Sequence, residues 1–311
     1  MVLNPAQQSV IDLLGRSPDR EALAPDLAVE LEAELTSELA DLADHLDPAD
    51  PVWISKHALT TIHGCEAHHV AGRDSFAWTV ASARGSVAHK AIEVMIHYRG
   101  DPNPPELVDE ALARMADDEH SDVGRFIGSL GEFDRAELRA LAVDRVAAFQ
   151  ESFPPLKSQW VPRTESRSRV DLLDGRVVLS GKSDLTLGRP GEKVIIDLKT
   201  GRPARSHRED LRFYALLEAI KLGAPPRKVA SYYLDAARTD AEDVTEGTLR
   251  AATHRTVVGT RRIVELTRLD QSPTKRPGPQ CRWCTLFAGC AEGRASMEPT
   301  SSDDENADPG W

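Results

Sequence analysis

Two carboxylates and a lysine stand where they could work on a phosphate ester. Asp184 ends Gly181-Lys182-Ser183-Asp184, and Asp197 and Lys199 lie in the run Val194-Ile195-Ile196-Asp197-Leu198-Lys199-Thr200-Gly201. Gly188-Arg189-Pro190-Gly191 is a turn signal between β-branched runs, so the segments around Asp184 and Asp197 are expected to be neighbouring antiparallel strands. Side chains at i and i+2 of a strand share a face, which sends Asp197 and Lys199 the same way. Carboxylate oxygens suit Mg²⁺, and an ammonium can orient a water or offset charge on a phosphate. A D-x-K triplet alone is equally a plain hairpin with solvated charges. Here the apolar run into Asp197 puts the charge at the end of a buried strand, where few charges occur without a task.

A second group is the cysteines. Of four, three fall in Cys281-Arg282-Trp283-Cys284-Thr285-Leu286-Phe287-Ala288-Gly289-Cys290, and the fourth, Cys65, is far upstream. C-x2-C spacing in a chain expected to be cytosolic points to thiolates gathered on a metal centre rather than to disulfides. Zinc and an iron–sulfur cluster both accept four cysteines, and His63, His68 or His69 could replace one of them.

These residues must be positioned by a chain of 311 residues, 41% hydrophobic and 28% charged, enough for one large domain or two smaller ones. No apolar run approaches the about 20 residues of a membrane span, and the first residues lack the basic and apolar regions of a signal peptide, so a cytoplasmic protein is expected. The net charge of −12 is unevenly spread. Residues 1–150 hold 12 Lys and Arg against 27 Asp and Glu, residues 151–297 hold 26 against 18, and residues 298–311 hold five acids and no base. Phosphate binding depends on the local field, and the half with the carboxylates is basic.

Leu23, Leu27, Leu31, Leu35, Leu39, Leu42 and Leu46 recur at helical spacing, predicting an amphipathic helix over 23–46, with further helices at 86–98, 105–119 and 134–152. After Pro154-Pro155 the texture becomes strand-like: 159–173, a hairpin turn at Asp174-Gly175, then 176–187 and 193–199. Ser206 and Glu209 form a capping-box pattern opening a helix over about 207–222, followed by a strand at 228–234 and a helix over about 245–268. Strand, helix, strand predicts a mixed sheet with a crossover helix. No internal repeat is present.

In chain order, Cys65, Gly85-Ser86-Val87-Ala88-His89, Gly181 to Asp184, Asp197-Leu198-Lys199, Asp210 with Tyr214 four residues on, and the three late cysteines resemble the RecB-like branch of the PD-(D/E)XK nuclease superfamily. The likeness is to its iron–sulfur members, the CRISPR adaptation nucleases and the nuclease domain of AddB-type helicase–nuclease subunits. It implies an α/β, mixed-sheet, restriction-endonuclease-like core with a helical N-terminal region and a cysteine-ligated cluster. The implied divisions are a helical segment at 1–59 and a nuclease domain at 60–292 with a helical insertion at about 100–155, and the acidic, Ser-rich composition of 293–311 predicts a disordered tail.

By the same resemblance, His89, Asp184, Asp197 and the Leu198 carbonyl would hold Mg²⁺ or Mn²⁺, and Lys199 would act on the attacking water. Tyr214 would reach the site from its helix. Cys65, Cys281, Cys284 and Cys290 would bind a 4Fe-4S cluster, with Zn²⁺ the alternative. The implied activity is hydrolysis of DNA, single-stranded or at ends, in repair, recombination or defence, with a helicase or other DNA-processing protein as partner and no membrane. The alternative is a catalytically weak or inactive DNA-binding or scaffolding subunit. The chain departs from the family pattern at Asp197, where Glu is commoner, and at Asp210, where Gln is usual. A carboxylate at 210 repels phosphate unless it is paired, and Arg205, Arg208 and Arg212 are the neighbours expected to neutralise it.

Overall fold

A strand such as Val194-Ile195-Ile196 is apolar on both faces and has to be covered from both sides. The structure is a computed structural model describing residues 2–72, 77–98, 100 and 103–298. It meets this demand with one six-stranded mixed sheet between two groups of helices. The N-terminal half supplies α1 (Pro5–Leu14), α2 (Leu27–Glu38), β1 (Val52–Ile54), α3 (Lys56–Gly64), α4 (Glu66–Ala71), α5 (Val80–His97), α6 (Pro104–Ala116), α7 (Asp122–Ser129) and α8 (Glu132–Ser152). Then come β2 (Arg163–Leu172), β3 (Val177–Leu187), β4 (Val194–Lys199), α9 (Arg205–Leu222), β5 (Lys228–Tyr233), β6 (Arg238–Asp243), α10 (Glu246–Arg268) and α11 (Ala291–Ala295).

Strand β3 organises the sheet. Along one edge it pairs antiparallel with β2; along the other it pairs parallel with β1 at its start and antiparallel with β4 at its end. β4 and β5 are parallel, joined by the crossover helix α9, and β6 closes the order antiparallel to β5. Ile195 faces the core made with α2, α9 and α10, and Ile196 faces the core made with α5, α6 and α8. The leucine stripe belongs to the first core, with Leu31, Leu35 and Leu39 wholly buried.

The predicted helix over 23–46 is shorter than its stripe. It ends at Glu38 and continues as a 3-10 turn, Ala40–His45, which still carries Leu42 into the same core. The helix predicted from Ser206 begins at Arg205, so Ser206 lies within its first turn and Ala204 precedes it. β1, β6 and the short helices α1, α3, α4 and α7 carry periodic signals too brief to be read ahead of the structure. The expected tail at 293–311 starts inside α11, and residues 299–311 lie outside those described. Among the described residues no helix is long and apolar enough to cross a membrane.

Two glycines permit the close approaches that shape the site. A Cβ on Gly85 of α5 would sit 2.8 Å from Thr200 Oγ1, just past β4. A Cβ on Gly181 of β3 would sit 2.7 Å from the Tyr214 ring and 2.9 Å from Leu217, both on α9. Gly181→Ala should therefore push α9 off the sheet and cost about 1–3 kcal/mol. The check is the urea midpoint of unfolding, which should fall without a change in slope; an unmoved midpoint would mean that α9 has slack.

Candidate active site

The register Leu185↔Ile196, carried one step further, sets Asp184 opposite Asp197. The two strands are pinned there by a side chain: Asp184 Oδ2 accepts the Leu198 N–H at 2.8 Å. Helix α5 brings in His89, whose Nδ1 lies 3.6 Å from Asp184 Oδ1. Burial works to raise the Asp184 pKa, but His89, Lys56 and the Leu198 N–H outweigh it and hold the carboxyl at about 2. Burial likewise disfavours a charged His89, yet the Asp184 carboxylate prevails and leaves its pKa above the ordinary histidine value.

Asp197 is 0% exposed and lies between two ammonium groups. Lys56 Nζ donates to Oδ1 at 2.8 Å, and Lys199 Nζ stands 2.6 Å from Oδ2. The second contact is close but poorly aimed, so buried Oδ2 lacks a properly directed donor. Lys199 also lies 3.6 Å from Asp210 Oδ2, while Asp210 Oδ1 accepts the Thr60 hydroxyl at 2.8 Å. Lys199 and Thr60 therefore balance Asp210, and the arginines expected to do so are engaged elsewhere or exposed. Arg212 pairs with Glu242 and Glu209, Arg208 pairs with Asp240, and Arg205 is exposed.

The residue that sequence reasoning missed is Lys56. Ser55 caps α3 by accepting the Ala58 N–H at 3.2 Å. The helix then turns Lys56, Thr60 and His63 inward, to Asp197, Asp210 and the Arg255 carbonyl respectively. That i, i+4, i+7 polar row beside apolar Leu59 and Ile62 was the available signal. Burial works against the charge on Lys56, but Asp197 and its neighbours keep the pKa above the usual lysine range. Its Nζ sits 4.9 Å from the centroid of the Tyr214 ring, which places Tyr214 at the site rather than only in the core. Burial pushes the Tyr214 hydroxyl up to about 12.

The two carboxylates and a backbone carbonyl at Leu198 are the hard oxygen donors that Mg²⁺ or Mn²⁺ takes, and the His89 imidazole adds one nitrogen donor. These donors are engaged by protein groups here, since Lys56 and Lys199 hold Asp197 and the Leu198 N–H holds Asp184. Among the described residues no three His, Cys, Asp or Glu side chains converge as a ready-made metal site.

The four cysteines line one pocket, without converging as a ready-made metal site among the described residues, although more than 200 residues separate the first from the rest. Cys65, Cys281, Cys284 and Cys290 are all free thiols and line one pocket with His68, Arg276 and Gly293. Three backbone N–H groups point at sulfur: Arg276 to Cys65 at 3.4 Å, Gly278 to Cys281 at 3.4 Å and Gly293 to Cys290 at 3.3 Å. Of the three candidate histidines only His68 lines this pocket; His63 and His69 are bonded to Arg255 and Thr61. Glu66 fastens the late segment beside Cys65, accepting from Arg262 at 2.8 Å and from the Thr274 N–H at 2.7 Å.

Comparisons with known proteins complete the description. A protein from Eubacterium rectale, solved as a candidate exonuclease, superposes with a TM-score of 0.47 at 13% identity, covering 92% of this chain and 99% of its own. A protein solved as SSO0001 gives 0.30 at 15% identity, covering 67% and 95% respectively. Likeness at this level adds nothing to the assignment, and no curated protein matches. The family model of the PD-(D/E)XK nuclease superfamily, by contrast, matches residues 54–291, from the end of β1 to the start of α11 and so through every group described above. The chain belongs to the PD-(D/E)XK nuclease superfamily.

Proposed function

We propose that this chain is an Mg²⁺- or Mn²⁺-dependent deoxyribonuclease of the RecB-like branch, acting on single-stranded DNA or DNA ends in repair, recombination or defence. The observation that carries the reading is the meeting of Asp184, Asp197 and His89 with Lys199 at the junction of β3, β4 and α5. When bound, the metal would polarise a phosphoryl oxygen and acidify an attacking water. Asp184, Asp197 and His89 would hold it, with the Leu198 carbonyl a further ligand. Lys199 orients the attacking water and offsets the charge that grows on the phosphorus oxygens. Asp210 and Thr60 keep that ammonium in place, and Tyr214 closes the apolar side of the site.

The reading assigns residues 60–292 to the nuclease domain, about 100–155 to a helical insertion, and 1–59 to a helical segment that precedes it. It assigns the four cysteines to a structural 4Fe-4S cluster, supported by their shared pocket and the three N–H groups aimed at sulfur. The order of the cysteines, one before the histidine helix and three after the core, selects iron over zinc by resemblance. A cytoplasmic location and a helicase or other DNA-processing partner belong to the same reading.

Asp197→Ala and Lys199→Ala should each reduce cleavage of oligonucleotides about 10²-fold or more, as loss of transition-state charge stabilisation does, and excess EDTA should abolish it. Wild-type rates in purified Lys199→Ala protein would refute the assignment. Lys56→Met leaves Asp197 with one ammonium, so in EDTA it should lose about 1.5–3 kcal/mol of stability, and Mn²⁺ should restore more of it than Mn²⁺ adds to wild type. Thermal melts with and without metal decide this. Anaerobically purified protein should be brown and contain about four irons per chain, with Cys284→Ser and Cys290→Ser lowering solubility more than the rate of cleavage. One stoichiometric zinc and no iron would overturn the cluster.

A further inference from the structure

Strands β1, β3 and the outer strand β2 bury one face against α2, α9 and α10, with Val52, Ile54, Val170, Leu172, Val177 and Leu179 turned to that core. Among the described residues their other face carries no helix along its length, although α5 touches β2, because α5, α6 and α8 lie mainly over the far part of the sheet, on Leu185, Ile196, Leu198 and Tyr232. The register places Trp53 opposite Val178, Arg169 opposite Ser180 and Arg167 opposite Lys182. Directly paired side chains share a face, so Trp53, Arg167, Arg169 and Lys182 all stand on the open one. Trp53 is 53% exposed beside a fully buried Val178 on the same face, an unusual position for the largest apolar side chain. The Arg169 guanidinium reaches across β3 and stacks on the Trp53 ring at 5.1 Å.

The row has a direction. Asp184 follows Lys182 by two residues on β3, a rise of about 7 Å, and there α5 delivers His89. From the other end, Trp53 precedes Lys56, which touches Asp197, by three residues. An aromatic ring with a guanidinium on it, then basic side chains, then the paired carboxylates is the order in which an extended nucleic-acid strand would be stacked, charge-matched and presented. Lys182 pairs with Glu165, and Arg169 with Asp171 at 2.7 Å; both pairs are solvent-facing and so exchange readily for phosphate. Arg167 is exposed, and its guanidinium has no ion-pair partner among the described residues.

We propose that the open face of β1, β3 and β2 is a binding track for single-stranded DNA, with Trp53 stacking a base and Arg167, Arg169 and Lys182 holding phosphates on the approach to Asp184. The proposal rests on the nuclease reading and deepens it. The track fits a flexible strand because the ring is presented from a rigid strand beside a row of cations, which a stacked duplex could not engage without unpairing.

The test is fluorescence anisotropy with a fluorescein-labelled 20-mer oligothymidylate, in EDTA so that nothing is cleaved. Trp53→Ala should weaken binding about 5- to 100-fold, the range of one lost base stack, and Trp53→Phe should recover most of it. Arg167→Ala should lower the slope of log affinity against log salt by about 0.7, the signature of one phosphate contact on a single strand. Unchanged melting temperatures will confirm that these exposed substitutions leave the fold intact. Affinity within twofold of wild type for Trp53→Ala, with an unchanged salt slope for Arg167→Ala, overturns the track, as does a wild-type protein that does not bind the oligonucleotide. Hydrolysis of thymidine 5′-p-nitrophenyl phosphate by wild type with Mn²⁺ tests the catalytic reading separately. If wild type hydrolyses neither that diester nor DNA while Trp53→Ala still loses binding, the track stands and the nuclease reading falls.

Discussion

A carboxylate with no exposure to water has to be matched by positive charge, and Asp197 imposes that demand on everything around it. It lies on the last turn of the pleat before β4 ends, where the apolar run gives out. One matching ammonium, Lys199, comes from the same strand two residues on, and this needs no tertiary structure beyond the strand itself. The other, Lys56, comes from α3, so helix and sheet are tied by an ion pair that neither could form alone. Once Lys56 is in place, helical spacing sends Thr60 to Asp210 and so steadies the second partner of Lys199. A charge-matched site thus comes from one buried acid and two periodicities, that of the strand and that of the helix.

The same economy governs the far end of the chain. Three cysteines within ten residues can meet by local turns, but Cys65 can join them only if the segment after α10 returns to α4. Glu66 secures that return. The Arg262 guanidinium and the Thr274 N–H both bond its Oε2, and these contacts outweigh the opposing effect of burial and hold its carboxyl at about 2. The Ala67 N–H donates to the Thr274 carbonyl at 3.1 Å and completes the clasp. Closing so long a loop costs chain entropy, which the clasp offsets before any metal is considered.

What could be read from the sequence divides along a physical line. The hairpin of β3 and β4, the face shared by Asp197 and Lys199, the crossover helix and the gathering of cysteines rest on short-range rules, and the structure follows them. Asp184, His89 and Tyr214 lie around Asp197 and Lys56, but their distances from one another depend on Gly85 and Gly181, whose missing side chains mark close approaches that no periodicity reports. Lys56 was hidden because α3 spans only Lys56–Gly64, and the strand before it, β1, has three residues. In elements of that length the polar row of Lys56, Thr60 and His63 is present but runs for too few turns to stand out as a period. The partners of Asp210 were misjudged for a related reason. Nearness in sequence favoured Arg208 and Arg212, whereas β6 supplies Asp240 and Glu242 to hold those arginines, and β6 pairs with β5 rather than with the helix that bears them.

Helix α3 also connects the two ends. Along one side it offers Lys56 and Thr60 to the carboxylates; its last turn bonds His63 to the Arg255 carbonyl of α10 at 2.9 Å; and Cys65 follows it directly. Two turns beyond Arg255, Arg262 of the same α10 holds Glu66 in the cysteine clasp. The late cysteines and the paired carboxylates therefore bear on opposite ends of one nine-residue helix, which α10 braces from behind. A helix so short has little stability of its own, and its place depends on what it touches at each end. The cysteine pocket bears on the carboxylate site without touching it, because by holding the end of α3 at Cys65 it helps to set the angle from which Lys56 meets Asp197.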